Sequence, residues 1–185
     1  DVDQLPSVGA GDVLNDIIRS GAATVIRLDH IYRQGEGSPI PVAADEVNKG
    51  RIPTGGPLPR SGFYVDRYTD GKKAADRVVD MVSRANAIWG VDPIKDVQVL
   101  TPMKKHSCGV NELNRRLQDA LNPHQFGDTN YSAGKKSFRR GDKVMQTKND
   151  YKRNVFNGMS GVVVDIYPVG KPDVILTVDF GDRPE

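Results

Sequence analysis

Apolar residues recur at a helical period over the first part of this chain and then change to alternation. Val13, Leu14, Ile17 and Ile18 share one helix face, with Asp12 in the first turn, Arg19 in the last and Gly21 as the stop. Ser38 can cap a second helix whose first turn tolerates Pro39 and Pro41, because first-turn amides have no intrahelical acceptor. Ile40, Ala43, Ala44 and Val47 form its stripe, and Lys49-Gly50 ends it. Ala75, Val78, Val79, Val82, Ala85 and Trp89 predict a third helix. Leu113, Leu117, Ala120 and Leu121 predict a fourth, from Val110 to the stop at Asn122-Pro123. Between these lie three apolar runs that read as short strands: Thr24–Leu28, Phe63–Tyr68 and Val97–Thr101. Strands alternating with helices predict part of a parallel α/β sheet over Asp1–Asn122.

Beyond that point the pattern changes. Gly127–Lys136 is polar and reads as a linker or loop. Lys143–Thr147, Gly161–Tyr167 and Asp173–Phe180 are strand-like, the last with Val174, Leu176, Val178 and Phe180 on one face. Asn157-Gly158 is a turn signal just ahead of the strand that starts at Gly161. Short strands with tight turns predict a small antiparallel β-barrel. The expected organisation is therefore an α/β domain over 1–125 and a β domain over 126–185.

Composition narrows the classes. With 185 residues, 37% hydrophobic and 27% charged, the chain reads as globular and large enough for a core. No apolar run is long enough for a membrane span and no signal peptide opens the chain, so a cytoplasmic, non-membrane protein is expected. The single cysteine, Cys108, excludes an internal disulfide. It sits in a loop with Lys104 and Lys105, where an incidental residue is favoured over a reactive thiol because no base is paired with it. His30, His106 and His124 show no ligand spacing, so no metal site is expected.

Net charge is only +2, but it is unevenly placed. Residues 1–70 hold 7 basic and 10 acidic side chains, whereas Lys135–Arg153 holds 8 basic residues against Asp142 and Asp150. That run is interleaved with Phe138 and Tyr151, and Phe156 follows. Cations alternating with rings suit a groove that tracks a nucleic-acid backbone and stacks its bases; the competing reading is a solvated face. Lys143, Lys148, Lys152 and Arg153 are candidate phosphate contacts, Asn149 and Asn157 neutral donors, and Tyr151 either a stacking face or core.

Three strings carry a resemblance. Asp3-Gln4-Leu5-Pro6-Ser7-Val8-Gly9-Ala10-Gly11 and Ile31-Tyr32-Arg33-Gln34 closely resemble helicase motifs III and IV of the RecD/TraA-type superfamily 1 DNA helicases. Gly141-Asp142-Lys143-Val144-Met145-Gln146, continuing through Asn149-Asp150-Tyr151 to Phe156-Asn157-Gly158, looks like the SH3-like barrel inserted in the second motor lobe of that family. The resemblance implies a fragment: part of a RecA-like, parallel-sheet motor lobe followed by a truncated SH3-like antiparallel barrel. It implies a parent that hydrolyses ATP with Mg²⁺ and translocates on single-stranded DNA, 5′ to 3′ by analogy with the family, in repair and recombination. The partners it implies are single-stranded DNA and the remaining parts of the same helicase chain.

The same resemblance places Gln4 as a γ-phosphate sensor and Arg33 as the arginine that reaches the γ-phosphate across the lobe interface, with Gln34 beside it. An amide both donates and accepts, which suits sensing, and a permanently charged planar fork suits charge developing on phosphoryl oxygens. No G-x-x-x-x-G-K-[ST] string occurs, so the chain by itself is expected to hydrolyse no ATP and to bind DNA weakly. Two other classes fit the residues less well: a stand-alone nucleic-acid-binding module, and an SH3-like protein-interaction domain, which would need clustered aromatics more than lysines.

Overall fold

The computed structural model describes residues 2–4, 8–28, 37–56, 62–126, 129–134, 136–167 and 176–181. Two compact units, Asp1–Asp66 and Arg67–Glu185, divide the chain.

In the first unit, helix α1 (Val13–Ser20) ends at Gly21, which takes the left-handed φ of 64° that a side chain would resist. Helix α2 (Pro39–Asn48) starts with Pro39 in its first turn and the Ser38 hydroxyl accepting from the Ile40 amide. The α1 stripe finds no cover among the described residues: Val13, Leu14, Ile17 and Ile18 all stay exposed, and Ala43 of α2 is the one buried apolar residue described here. Thr24–Leu28 runs without ladder partners.

The second unit holds the core. Helix α3 (Gly71–Ser83) is capped by the Asp70 carboxylate, which accepts from the Lys72 and Lys73 amides at 2.7 and 3.4 Å. The helix predicted to run on to Trp89 breaks at Arg84 and resumes as α4 (Ala85–Trp89), stopped by left-handed Gly90. Helix α5 (Val110–Leu121) packs on α3, burying Leu113, Ala75 and Val82, and Arg116 bonds Asp76 across the pair at 2.5 Å.

After α5 all pairing is antiparallel. Strands β1 (Tyr131–Ala133) and β2 (Lys136–Phe138) form a hairpin, with Tyr131 opposite Phe138 and their rings stacked at 6.2 Å. Strands β3 (Lys143–Met145), β4 (Ser160–Ile166) and β5 (Leu176–Asp179) form a sheet in the order β3-β4-β5. Val163 and Ile166 of β4 and Val155 in the β3–β4 connection are buried.

Besides the break at Arg84, the structure departs from the sequence reading in three places. The parallel sheet is not formed by the described residues: 24–28, 63–68 and 97–101 belong to no strand ladder. A parallel strand needs neighbours separated from it by a crossover, so a short apolar run cannot pair on its own. The polar stretch 127–136 contributes a strand, β1, where a linker was expected, because the Tyr131–Phe138 ring pair supplies the apolar contact. The described strands make a two-stranded and a three-stranded sheet and do not close a barrel. Among the described residues no helix is long and apolar enough to cross a membrane.

Gly161 sits where β4 meets the end of β5. A Cβ there would lie 2.6 Å from the Asp179 carbonyl oxygen and 2.6 Å from Val178 Cγ1. Gly161→Ala is therefore expected to destabilise the unit by about 1–3 kcal/mol, read as a lower urea midpoint at unchanged slope. An unchanged midpoint would mean that β5 does not cross Gly161 as described.

Candidate nucleic-acid interface

The β3–β4 connection is a structured tip. Beyond Met145 the pairing continues, Gln146 donating to the Met159 carbonyl at 2.8 Å and Gly158 donating to the Gln146 carbonyl at 2.9 Å. It closes at an isolated bridge between Asp150 and Val155, whose amides and carbonyls exchange bonds of 2.7 and 3.0 Å. Four residues, Tyr151 to Asn154, turn the chain, and Asn154 takes a left-handed φ of 54°, which asparagine tolerates. Val155, 5% exposed, is the apolar anchor; the rest of the tip faces solvent.

Tyr151 is 77% exposed, which settles its ring as surface and not core. Phe156 meets it edge-on, with centroids 6.0 Å apart and planes at 69°. On either side of Tyr151 in the chain, Lys148 and Lys152 are exposed. Arg153 lies 2.8 Å from Asp150, and its guanidinium, with its own backbone amide, holds the Asp150 carboxyl below the usual carboxylate range. That pairing ties the cation to the turn and offsets part of its charge. The Phe156 amide donates to the Met159 thioether at 3.2 Å.

The base of this sheet is held by one acid. Asp142, 8% exposed, is the buried charged residue of the described core. It accepts from Gln118 Nε2 at 2.5 Å, Asn122 Nδ2 at 2.8 Å and the Arg139 amide at 2.7 Å. Arg139 reaches back to Asp119 Oδ1 at 3.0 Å and to the Asn122 carbonyl at 2.9 Å. The C-terminal half of α5 is thereby bolted to the strand that carries the tip. In the sequence Asp142 is one of two acids within a basic run and part of the Gly141–Gln146 string, and neither signal points to its role at this junction.

A family model described as the ATP-dependent RecD-like DNA helicase SH3 domain matches residues 113–180. This segment is similar to the SH3 domain of RecD-like helicases. The match starts inside α5, in keeping with the Gln118, Asp119 and Asn122 bonds that join this helix to the sheet. Over 180 residues, 97% of the chain, it is 37% identical to the ATP-dependent RecD2 DNA helicase of Deinococcus radiodurans, and it spans 22% of that relative's length.

The RecD-like tip gathers Lys148, Asn149, Tyr151, Lys152, Arg153 and Asn157 in one place, and adds Phe156, which sequence reading had named as an interleaved ring but not as a site residue. Lys143 is turned elsewhere: its ammonium donates to the Val97 carbonyl at 2.9 Å and the Lys95 carbonyl at 3.4 Å. Asn149 and Asn157 bond within the tip, the Asn157 amide donating to Asn149 Oδ1 at 2.8 Å. Gln4 is exposed in the first unit, and Arg33 and Gln34 lie outside the described residues. No group of three or more metal-ligating side chains occurs among the described residues.

Proposed function

We propose that this chain is part of an ATP-driven motor that moves on single-stranded DNA, and that the 148–157 tip is one of its contacts with the strand. In this reading residues 1–125 belong to the second motor lobe and 126–185 to its SH3-like insertion. Gln4 and Arg33, with Gln34 beside the arginine, act on the γ-phosphate of ATP bound with Mg²⁺ by the rest of the helicase, as the resemblance implies. Movement 5′ to 3′, a cytoplasmic place and a role in repair or recombination rest on the same analogy.

The observation that carries the DNA contact is the exposed Tyr151 ring, backed by Phe156 and flanked by Lys148, Lys152 and Arg153. A base has a π-face whatever its identity, so a ring and two or three cations bind single strands with little sequence preference. Lys143 is a weaker candidate than its neighbours, since two carbonyls already hold its ammonium.

Fluorescence anisotropy with labelled oligo-dT tests this. Tyr151→Ala is expected to weaken binding by about 1–3 kcal/mol. Log affinity should fall with log salt at a slope of roughly −1.4 to −2.1, for two or three phosphate contacts at about −0.7 each. Affinity unchanged between about 50 and about 300 mM salt would end the phosphate-contact reading.

A further inference from the structure

We propose that Asn149 is a positioning residue for the Tyr151 ring and not itself a contact to the strand; this rests on the nucleic-acid reading of the tip. Both ends of its side-chain amide are used inside the tip. Oδ1 accepts from the Asn157 amide at 2.8 Å, and Nδ2 donates to the Tyr151 hydroxyl oxygen at 3.1 Å. One side chain therefore links the outgoing strand of the tip, the Asn157-Gly158 turn and the phenol.

The ring needs such a restraint. A tyrosine 77% exposed has little packing to select one rotamer, and an unrestrained ring loses conformational freedom when a base stacks on it. Here two contacts restrain it from different directions. The Phe156 ring stands against it at 69°, and Asn149 holds its far end through the hydroxyl. At 77% exposure the ring keeps most of its surface open to a base.

The bond also sets the polarity of the phenol. Its oxygen accepts from Asn149, so its own proton is directed away from Asn149 and is available to an acceptor on the ligand, a phosphate oxygen or a base carbonyl. The ligand class is thus a single strand presenting an unpaired base next to its phosphodiester. The ring takes the base and Lys148, Lys152 and Arg153 take the phosphates.

The test uses oligo-dT and an abasic oligomer of equal length, which keeps the phosphates and lacks the bases. Asn149→Ala should weaken oligo-dT binding about 2- to 10-fold, the range of one hydrogen bond, and leave abasic binding almost unchanged. Tyr151→Phe breaks the same bond while leaving Asn149 free to hold Asn157. It should weaken oligo-dT binding at least as much, because the hydroxyl's own contact to the strand goes with it, and the Asn149→Ala/Tyr151→Phe double variant should bind no more weakly than Tyr151→Phe alone. Equal losses on both oligomers, or additive losses in the double variant, would assign Asn149 a general role in tip folding and overturn the proposal while the DNA reading stands. If Tyr151→Ala itself binds oligo-dT as tightly as the unaltered chain, the stacking reading fails, and this proposal with it.

Discussion

Asp142→Ala is expected to lower the stability of the second unit by about 3 kcal/mol and its melting temperature by roughly 10 °C. The substitution removes the acceptor shared by Gln118, Asn122 and the Arg139 amide at the junction of α5 with the sheet. Gln118 and Asn122 keep second acceptors, the Ser137 and Arg140 carbonyls at 2.9 and 2.8 Å. The Arg139 amide would keep none of those described, and a part-buried donor left without a partner forfeits some of its hydration without return. Arg139 is already imperfectly satisfied, its Nε being buried without a partner, so the site has little slack. Asp142→Asn keeps the shape but only one carbonyl oxygen, and should fall between the two. A thermal melt of the alanine variant within about 2 °C of the unaltered chain would show that α5 is held to the sheet by other means.

Arg33→Ala, made in a full-length helicase that carries this segment, is expected to lower kcat with DNA bound by about 10²-fold or more while leaving DNA affinity nearly unchanged. As the γ-phosphoryl group transfers, charge spreads over its equatorial oxygens, and a fixed guanidinium stabilises that charge more than it stabilises ground-state ATP. Lysine would not substitute well, because a point charge lacks the planar fork. Gln4→Ala should act in the same direction. The measurement is steady-state ATP turnover beside oligonucleotide anisotropy. Weakened DNA binding with turnover intact would remove the motif IV reading of Arg33 and with it the phosphate role.

Local features were legible in the sequence. Helix α1 with its Gly21 stop, α2 with its Ser38 cap and α5 with its Asn122 end all formed where their spacing and caps placed them. Helical periodicity and end signals act within a few residues, so the chain carries them wherever it is placed. The three strings naming a RecD-like helicase were equally local, and the family relationship they implied holds. Antiparallel pairing of β3, β4 and β5 followed from alternation and from the Asn157-Gly158 turn.

What the tertiary structure decided depends on partners far along the chain. Tyr151 could equally have packed inward by its sequence; Val155 fills the buried position instead, and the ring turns out against Phe156. Lys143 looked like its basic neighbours until the carbonyls of Lys95 and Val97, nearly fifty residues earlier, took its ammonium. Asp142 became a junction only because α5 brought Gln118 and Asn122 to it. The expected parallel strands failed to pair among the described residues for the same reason in reverse. A lone apolar run records that it should be buried but not against what, since ladder and burial are properties of the neighbour as much as of the strand.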